Sequence, residues 1–233
     1  MTTPSYVSRR GELEAYFDRT AVDAWKRLTS DAPVSRIRAT VRAGRDAMRN
    51  RIMSWLPTDM RGLRLLDAGC GTGALAIEAA RRGAEVIAVD LSSTLISLAR
   101  ERAPRDLGAG RVTFVVGDLL DPALGRFDHI VAMDSLIHYE GVDIARTLAD
   151  LAPRVDGSFV FTIAPRTPAL TAMHAVGKLF PRGNRSPSIA PIALATLEAR
   201  MREHKTLDDL RIAQSEKIVS GFYISQAVEA RRR

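Results

Sequence analysis

A chain of 233 residues, 46% hydrophobic and 26% charged, has room for one sizeable α/β domain with a decoration and too little for two comfortable domains. No run approaches ~18 uninterrupted apolar residues, so no membrane-spanning helix is expected, and the polar opening MTTPS predicts a protein that stays in the cytoplasm. Cys70 stands alone, which excludes an internal disulfide and argues against a metal centre built on cysteine. The net charge of +7 favours acidic small molecules, polyanions or anionic lipid heads as partners. Aromatic residues make up only 6% of the chain, few platforms for stacked bases, and nucleic acid is not the expected partner.

In chain order, residues 1–60 read as a helical arm and 61–233 as the main domain. Apolar residues at Leu13, Tyr16, Phe17, Ala21, Ala24, Trp25 and Leu28 recur near helical spacing and predict a helix over 12–28. A turn at 30–33 leads into a second, basic helix over 35–56, which Pro57 ends. Thereafter the period changes. Short apolar runs at 63–67, 85–90, 112–116, 127–133 and 158–163 read as strands, separated by helices at 74–82, 93–102 and about 142–151. Alternation of this kind implies right-handed parallel βαβ units in a doubly wound sheet. The runs 210–219 and 222–228 around Ser220 and Gly221 predict a terminal strand pair, giving seven strands. The stretch 165–191, with Pro165, Pro168, Pro181 and Pro187 before Pro191 and a helical piece at 169–180, is too long for an ordinary loop and reads as a lid or flexible excursion.

The chemistry concentrates at LLDAGCGTG, 65–73, where a strand gives way to a helix. Glycines there permit a tight turn and close approach of a ligand to the main chain. Gly69, Gly71 and Gly73 make GxGxG with Cys70 inside it, whereas a dinucleotide fold prefers a glycine where Ala74 stands. Asp67 precedes the loop. A carboxylate repels a pyrophosphate and attracts a sulfonium or ammonium, so the ligand reads as cationic. Asp90, ending the second strand ahead of Leu91, can accept from two ribose hydroxyls. After the third strand, Asp118 can accept from an adenine amino group and the Leu119 N–H can donate to the ring; Asp134 closes the pocket after the fourth. Helix capping is the alternative reading of Asp118 and Asp134.

Loop, Asp90, Asp118 and Asp134 together resemble the class I S-adenosylmethionine-dependent methyltransferases, over about residues 60–165 and 205–230. The runs YFDRTA at 16–21, WKRL at 25–28, VSRIRATVRAGR at 34–45, SWL at 54–56, SLIHY at 135–139 and FYISQAVE at 222–229 further resemble the magnesium-protoporphyrin IX O-methyltransferases, near full length. Asp18 departs from the asparagine common in that family. The resemblance implies S-adenosyl-L-methionine as methyl donor and one propionate of magnesium-protoporphyrin IX as acceptor, in bacteriochlorophyll or chlorophyll synthesis. It also implies contact with the large porphyrin-binding subunit of magnesium chelatase, and a place peripheral to the photosynthetic membrane. His138 and Tyr16 are the implied catalytic side chains, with Tyr139 beside them in the substrate site. A hold on a local loop for His138, and plain packing for Tyr16, are the alternatives. Arg38, Arg42 and Arg45 share one helical face and can receive the second propionate, or form a solvated basic face. Other readings are a methyltransferase for a quinone or amine, one for RNA or protein, and a non-catalytic sensor of the same ligand.

Overall fold

In a computed structural model, the structure describes residues 3–20, 36–166 and 188–232. The expected end of the first helix, the turn at 30–33 and the helical piece at 169–180 fall within 21–35 or 167–187 and lie outside the described residues.

The first helix, α1 (Pro4–Ala15), begins eight residues before the position its apolar spacing indicated. Thr3 caps it by accepting from the Tyr6 N–H at 3.1 Å, and Pro4 supplies a preset φ at the first turn. Tyr6 and Leu13, two turns apart, are its buried side chains. A π-helical turn, Tyr16–Thr20, follows. The basic helix α2 (Arg36–Trp55) buries Met48, Ile52 and Met53. Then come β1 (Arg64–Ala68), α3 (Ala74–Arg81), β2 (Glu85–Asp90), α4 (Ser93–Arg102), β3 (Arg111–Val116), β4 (Phe127–Ala132), α5 (Gly141–Leu151) and β5 (Val155–Ile163). A short helix that the sequence reading did not anticipate, α6 (Leu194–Met201), precedes β6 (Leu210–Ser220) and β7 (Tyr223–Arg232).

The strands form one seven-stranded sheet in the order β3-β2-β1-β4-β5-β7-β6. β1 to β5 are parallel, and β7 runs antiparallel between β5 and β6. Side chains alternate across the pleat. Phe159 and Phe161 therefore join a core with α1 and α5, while Val160 joins a second core with α2 and α3. The arm is thus divided: α1 lies on one face of the sheet and α2 on the other. α2 comes close to β7 because residue 44 is glycine. A Cβ there would lie 2.5 Å from a carbon of the Tyr223 ring. That approach brings Arg45 and Tyr223 to the carboxyl end of the parallel strands.

Candidate active site

A cavity of about 700 Å³ opens at the carboxyl ends of β1 to β4, where open α/β sheets bind their ligands. Its lower wall is the glycine loop. Gly69 and Cys70 N–H groups donate to the Val89 carbonyl at 2.8 and 3.0 Å, which ties the loop to β2. Gly69 has φ +80, and a Cβ on it would stand 2.4 Å from Ser135 Cβ. Ser135 in turn donates to the Ala68 carbonyl at 2.8 Å, so loop and β4 edge are locked together. Gly71 has nothing within 4 Å of its missing Cβ, leaving its backbone open to a ligand.

Asp90 organises the turn. Its Oδ2 accepts from the Gly71 N–H at 2.8 Å and its Oδ1 from the Ser92 N–H at 2.9 Å. Each oxygen retains a lone pair for a further donor. Burial raises its pKa, and those N–H groups oppose the rise. The arm adds a second brace here: Asp18 accepts from Ser92 Oγ at 2.6 Å and from the Thr94 N–H at 3.2 Å, at the start of α4.

Asp67, Cys70 and Gly73 stand behind the cavity wall. Asp67 is 2% exposed, and its Oδ2 has no hydrogen-bond partner among the described residues. Burial, then the charge of Asp90, pushes its carboxyl up to about 7. Burial also pushes the Cys70 thiol up, reinforced by Asp67 and Asp90, so it stays protonated within the second core. Gly73 begins α3 at φ 79, and a Cβ there would press on the Phe114 ring.

Asp118 lies on the wall with Leu91 and Leu119, but α1 has reached it. Its Oδ1 accepts from the Leu120 N–H at 2.9 Å and from the Tyr6 hydroxyl at 2.8 Å; its Oδ2 takes Arg10 at 2.7 Å. The Tyr6 ring stacks on Tyr139, with centroids 4.9 Å apart. Tyr6 and Arg10 escaped the sequence reading, and the cap at Thr3-Pro4 was the signal that would have extended the helix to include them.

Asp134 is the one described non-glycine residue at positive φ, 55°. Such a conformation costs about 1–3 kcal/mol and persists where surrounding contacts impose it. Here Arg45 donates to Oδ2 at 2.9 Å, Tyr223 to Oδ1 at 3.0 Å and Ser225 to Oδ1 at 3.3 Å, while the Asp134 N–H donates to Thr162 at 2.7 Å. Asp134 therefore joins α2, β4, β5 and β7 instead of capping a helix. Of Arg38, Arg42 and Arg45, only Arg45 is on the wall. Arg38 and Arg42 lie toward the start of α2 and have contacts of their own.

His138 closes the upper wall on a short 3-10 turn, Leu136–His138, and is 8% exposed. Its Nδ1 lies 3.3 Å from the Ser188 carbonyl. A carbonyl cannot donate, so Nδ1 carries the proton and Nε2 is the acceptor of the neutral ring. Burial lowers its pKa. Phe17 faces this ring edge-on at 6.2 Å and lines the cavity, while Tyr16 packs against Phe17 with centroids 5.2 Å apart. The π-helical turn thus presents Phe17, and Tyr16 stands one ring further out.

The acceptors fit a cationic adenosyl ligand: lone pairs on Asp90 and an unmatched buried carboxylate oxygen on Asp67, with open space beside the Gly71 backbone. Residues 65–155 match a family described as a methyltransferase domain, and 132–232 one described as the magnesium-protoporphyrin IX methyltransferase C-terminus. The magnesium-protoporphyrin O-methyltransferase of Rhodobacter capsulatus is 49% identical over 97% of this chain and 98% of its own length. That of Synechocystis is 32% identical over 93% and 94%. The crystal structure of the Synechocystis magnesium protoporphyrin IX methyltransferase with bound SAH superposes with a TM-score of 0.83, at 28% identity, covering 97% of this chain and all of that one. A cavity of this form, in a chain collinear with such relatives from end to end, places the protein among the magnesium-protoporphyrin O-methyltransferases.

Proposed function

We infer that this chain transfers the methyl group of S-adenosylmethionine to a propionate carboxylate of magnesium-protoporphyrin IX, yielding the methyl ester and S-adenosylhomocysteine. The observation that carries the reading is one cavity wall that joins Gly69, Gly71 and Asp90 to Arg45, His138 and Tyr139, in a member of that family. The donor supplies a methyl group activated by a positively charged sulfur. Asp90 receives the ribose hydroxyls, Asp118 and the Leu119 N–H face the adenine, and the loop backbone takes the amino-acid end, with Asp67 and Asp134 setting the field around it.

A propionic acid has a pKa of about 4.3, so the acceptor is an anion at neutral pH. A C–O bond forms as the C–S bond breaks, and two opposite charges vanish together. Exclusion of water therefore favours the step. Phe17, Leu13 and Tyr139 provide that dry wall. The propionate anion needs no base, and His138, a neutral ring on the upper wall of the cavity, acts by positioning the reacting end of the substrate. We expect His138→Ala to lower kcat by roughly tenfold or more while leaving the Kd for S-adenosylhomocysteine unchanged. Equal kcat in that variant would remove His138 from the reaction. A role for the Tyr16 hydroxyl rests on the family resemblance, and Tyr16→Phe tests it by the same kcat measurement.

Asp67 ties donor affinity to pH. Its carboxyl, raised to about 7, keeps its proton below that pH in the ligand-free protein. A cation above the loop favours the anion, so binding releases a proton, and affinity rises by up to about tenfold per pH unit before levelling near pH 7. Folding shows the opposite trend: the contribution of Asp67 is full below its unfolded value of 3.8 and is lost as pH rises through about 7. Titration calorimetry at pH 6 in two buffers of different ionisation enthalpy should show release in the parent and none in Asp67→Asn. Equal heats for the parent in both buffers contradict this.

Arg45, on the cavity wall, is the α2 arginine placed to meet the reacting carboxylate, while Arg38 and Arg42 lie outside the lining and add only to the basic charge of that helix. Peripheral membrane association is part of the proposal. Ile37, Val219 and Phe222 are each more than half exposed, and Ser220 bonded to the Thr40 carbonyl holds the β6–β7 turn beside the start of α2. Among the described residues no helix is long and apolar enough to cross a membrane. Co-sedimentation with anionic vesicles tests the association, and a binding assay with the large chelatase subunit tests that contact. The primary experiment is incubation with methyl-labelled donor and magnesium-protoporphyrin IX. Labelled porphyrin ester is the expected product, and its absence refutes the reading.

A further inference from the structure

A second cleft, of about 670 Å³, lies on the other side of the His138 turn. Tyr139 lines the first cavity, and its chain neighbours Glu140 and Gly141 line the second. The partition is the returning segment 188–192. It is pinned by the His138–Ser188 contact, by the Ala190 N–H on the Ile137 carbonyl at 2.8 Å, and by the Ile192 N–H on the Ala164 carbonyl at 2.9 Å. Consecutive residues of one chain segment thus line the two clefts.

The lining of the second cleft is of two kinds. Val142, Pro191 and Ile192 make an apolar side, and Val142 is half exposed. Arg166 and Arg200 make a cationic side. Arg200 also contacts Glu203 at 3.1 Å, and Glu140 is the one carboxylate in the lining. The starts of α5 and α6 open here, and neither has a side-chain cap, so their N–H groups add to the positive potential. Two guanidiniums beside an apolar wall suit an apolar ring edge that carries a carboxylate.

We propose that this second cleft holds the other propionate of the porphyrin, with Arg166 and Arg200 as its receptors, so that only one carboxylate reaches the methyl donor. The proposal rests on the function inferred above. Magnesium-protoporphyrin IX bears its two propionates on neighbouring pyrroles, which suits two clefts divided by a single segment. Anchoring one selects the other for reaction. It also disfavours a second round, because the ester product would have to turn over and place its neutral ester against the arginines. Arg166 and Arg200 are specificity-determining residues in this account, remote from the methyl group itself.

The test compares magnesium-protoporphyrin IX with a magnesium porphyrin bearing a single propionate, on the full chain and on the double variant Arg166→Gln, Arg200→Gln. For the parent, KM should be about tenfold lower for the diacid, the size of one charge-assisted contact. In the variant the two KM values should converge to within about twofold, diester should accumulate, and the Kd for S-adenosylhomocysteine should be unchanged. The double variant Arg166→Lys, Arg200→Lys should keep part of the preference, which a purely structural role would not do. A variant that keeps the parent's preference for the diacid overturns the proposal. If the parent methylates neither porphyrin, the inferred function fails instead. Fluorescence titration of both porphyrins against parent and variant then still reads the second cleft: binding preference lost in the variant supports it, and preference kept refutes it.

Discussion

Gly69→Ala should abolish detectable binding of the methyl donor and reduce turnover at least a hundredfold. Two costs act at once. The residue holds φ +80, where a side chain costs roughly 1–2 kcal/mol. The new Cβ would also lie 2.4 Å from Ser135 Cβ, on the chain that bonds back to Ala68. Neither neighbour can retreat freely, because Gly69 and Cys70 are hydrogen-bonded to Val89 and Ser135 to β1. Relief must come from the loop itself, whose displacement would carry Gly71 away from Asp90. A loss of about 3 kcal/mol of binding free energy corresponds to a hundredfold or more in affinity. Calorimetry with S-adenosylhomocysteine, alongside thermal unfolding of the ligand-free protein, checks it. Intact affinity in a folded variant would show that the loop does not contact the donor. The same substitution at Gly71, where nothing lies within 4 Å, retains only the backbone cost and should fold with less disturbance.

Asp134→Ala should destabilise the protein by about 2–4 kcal/mol. The change leaves Arg45 and Tyr223 without their shared acceptor, and stripping one partner from a buried pair costs about 3–5 kcal/mol. Arg45 remains 24% exposed, so water recovers part of that. Alanine also inherits φ 55, a conformation that aspartate and asparagine tolerate better. Asp134→Asn keeps backbone tolerance and the acceptor oxygen while removing the charge. It should therefore lose clearly less stability than alanine, and raise the KM for the donor. Denaturant unfolding of both variants separates the contributions. Equal and small losses for the two would mean that the Arg45–Asp134–Tyr223 cluster is incidental to the fold.

Local pattern made the parallel core legible. Apolar runs ending in Gly or Asp, alternating with helices, are properties of neighbouring residues, and β2 and α4 begin and end where spacing placed them. The glycine loop and Asp90 were readable for the same reason, since positive φ and a carboxylate at a strand end are local requirements. The arm was less readable. The sequence pattern favoured a helix after Glu12, but a short cap at Thr3 and Pro4 starts it earlier, and Tyr6 meets Asp118 and Tyr139, more than a hundred residues away.

What tertiary structure alone decided is where charges meet. Nothing near Asp118 in the chain announces Tyr6 and Arg10, and nothing near Asp134 announces Arg45, Tyr223 and Ser225. Side-chain partners of that kind come from strand order and from which face a helix covers, and α1 and α2 cover opposite faces. The sequence by itself determined the fold class, the glycine loop and the family, because each is written in short runs. Which motif residues touch the cavity, which stand behind it, and that a second cationic cleft shares its wall depend on packing between distant segments, and no periodicity encodes that.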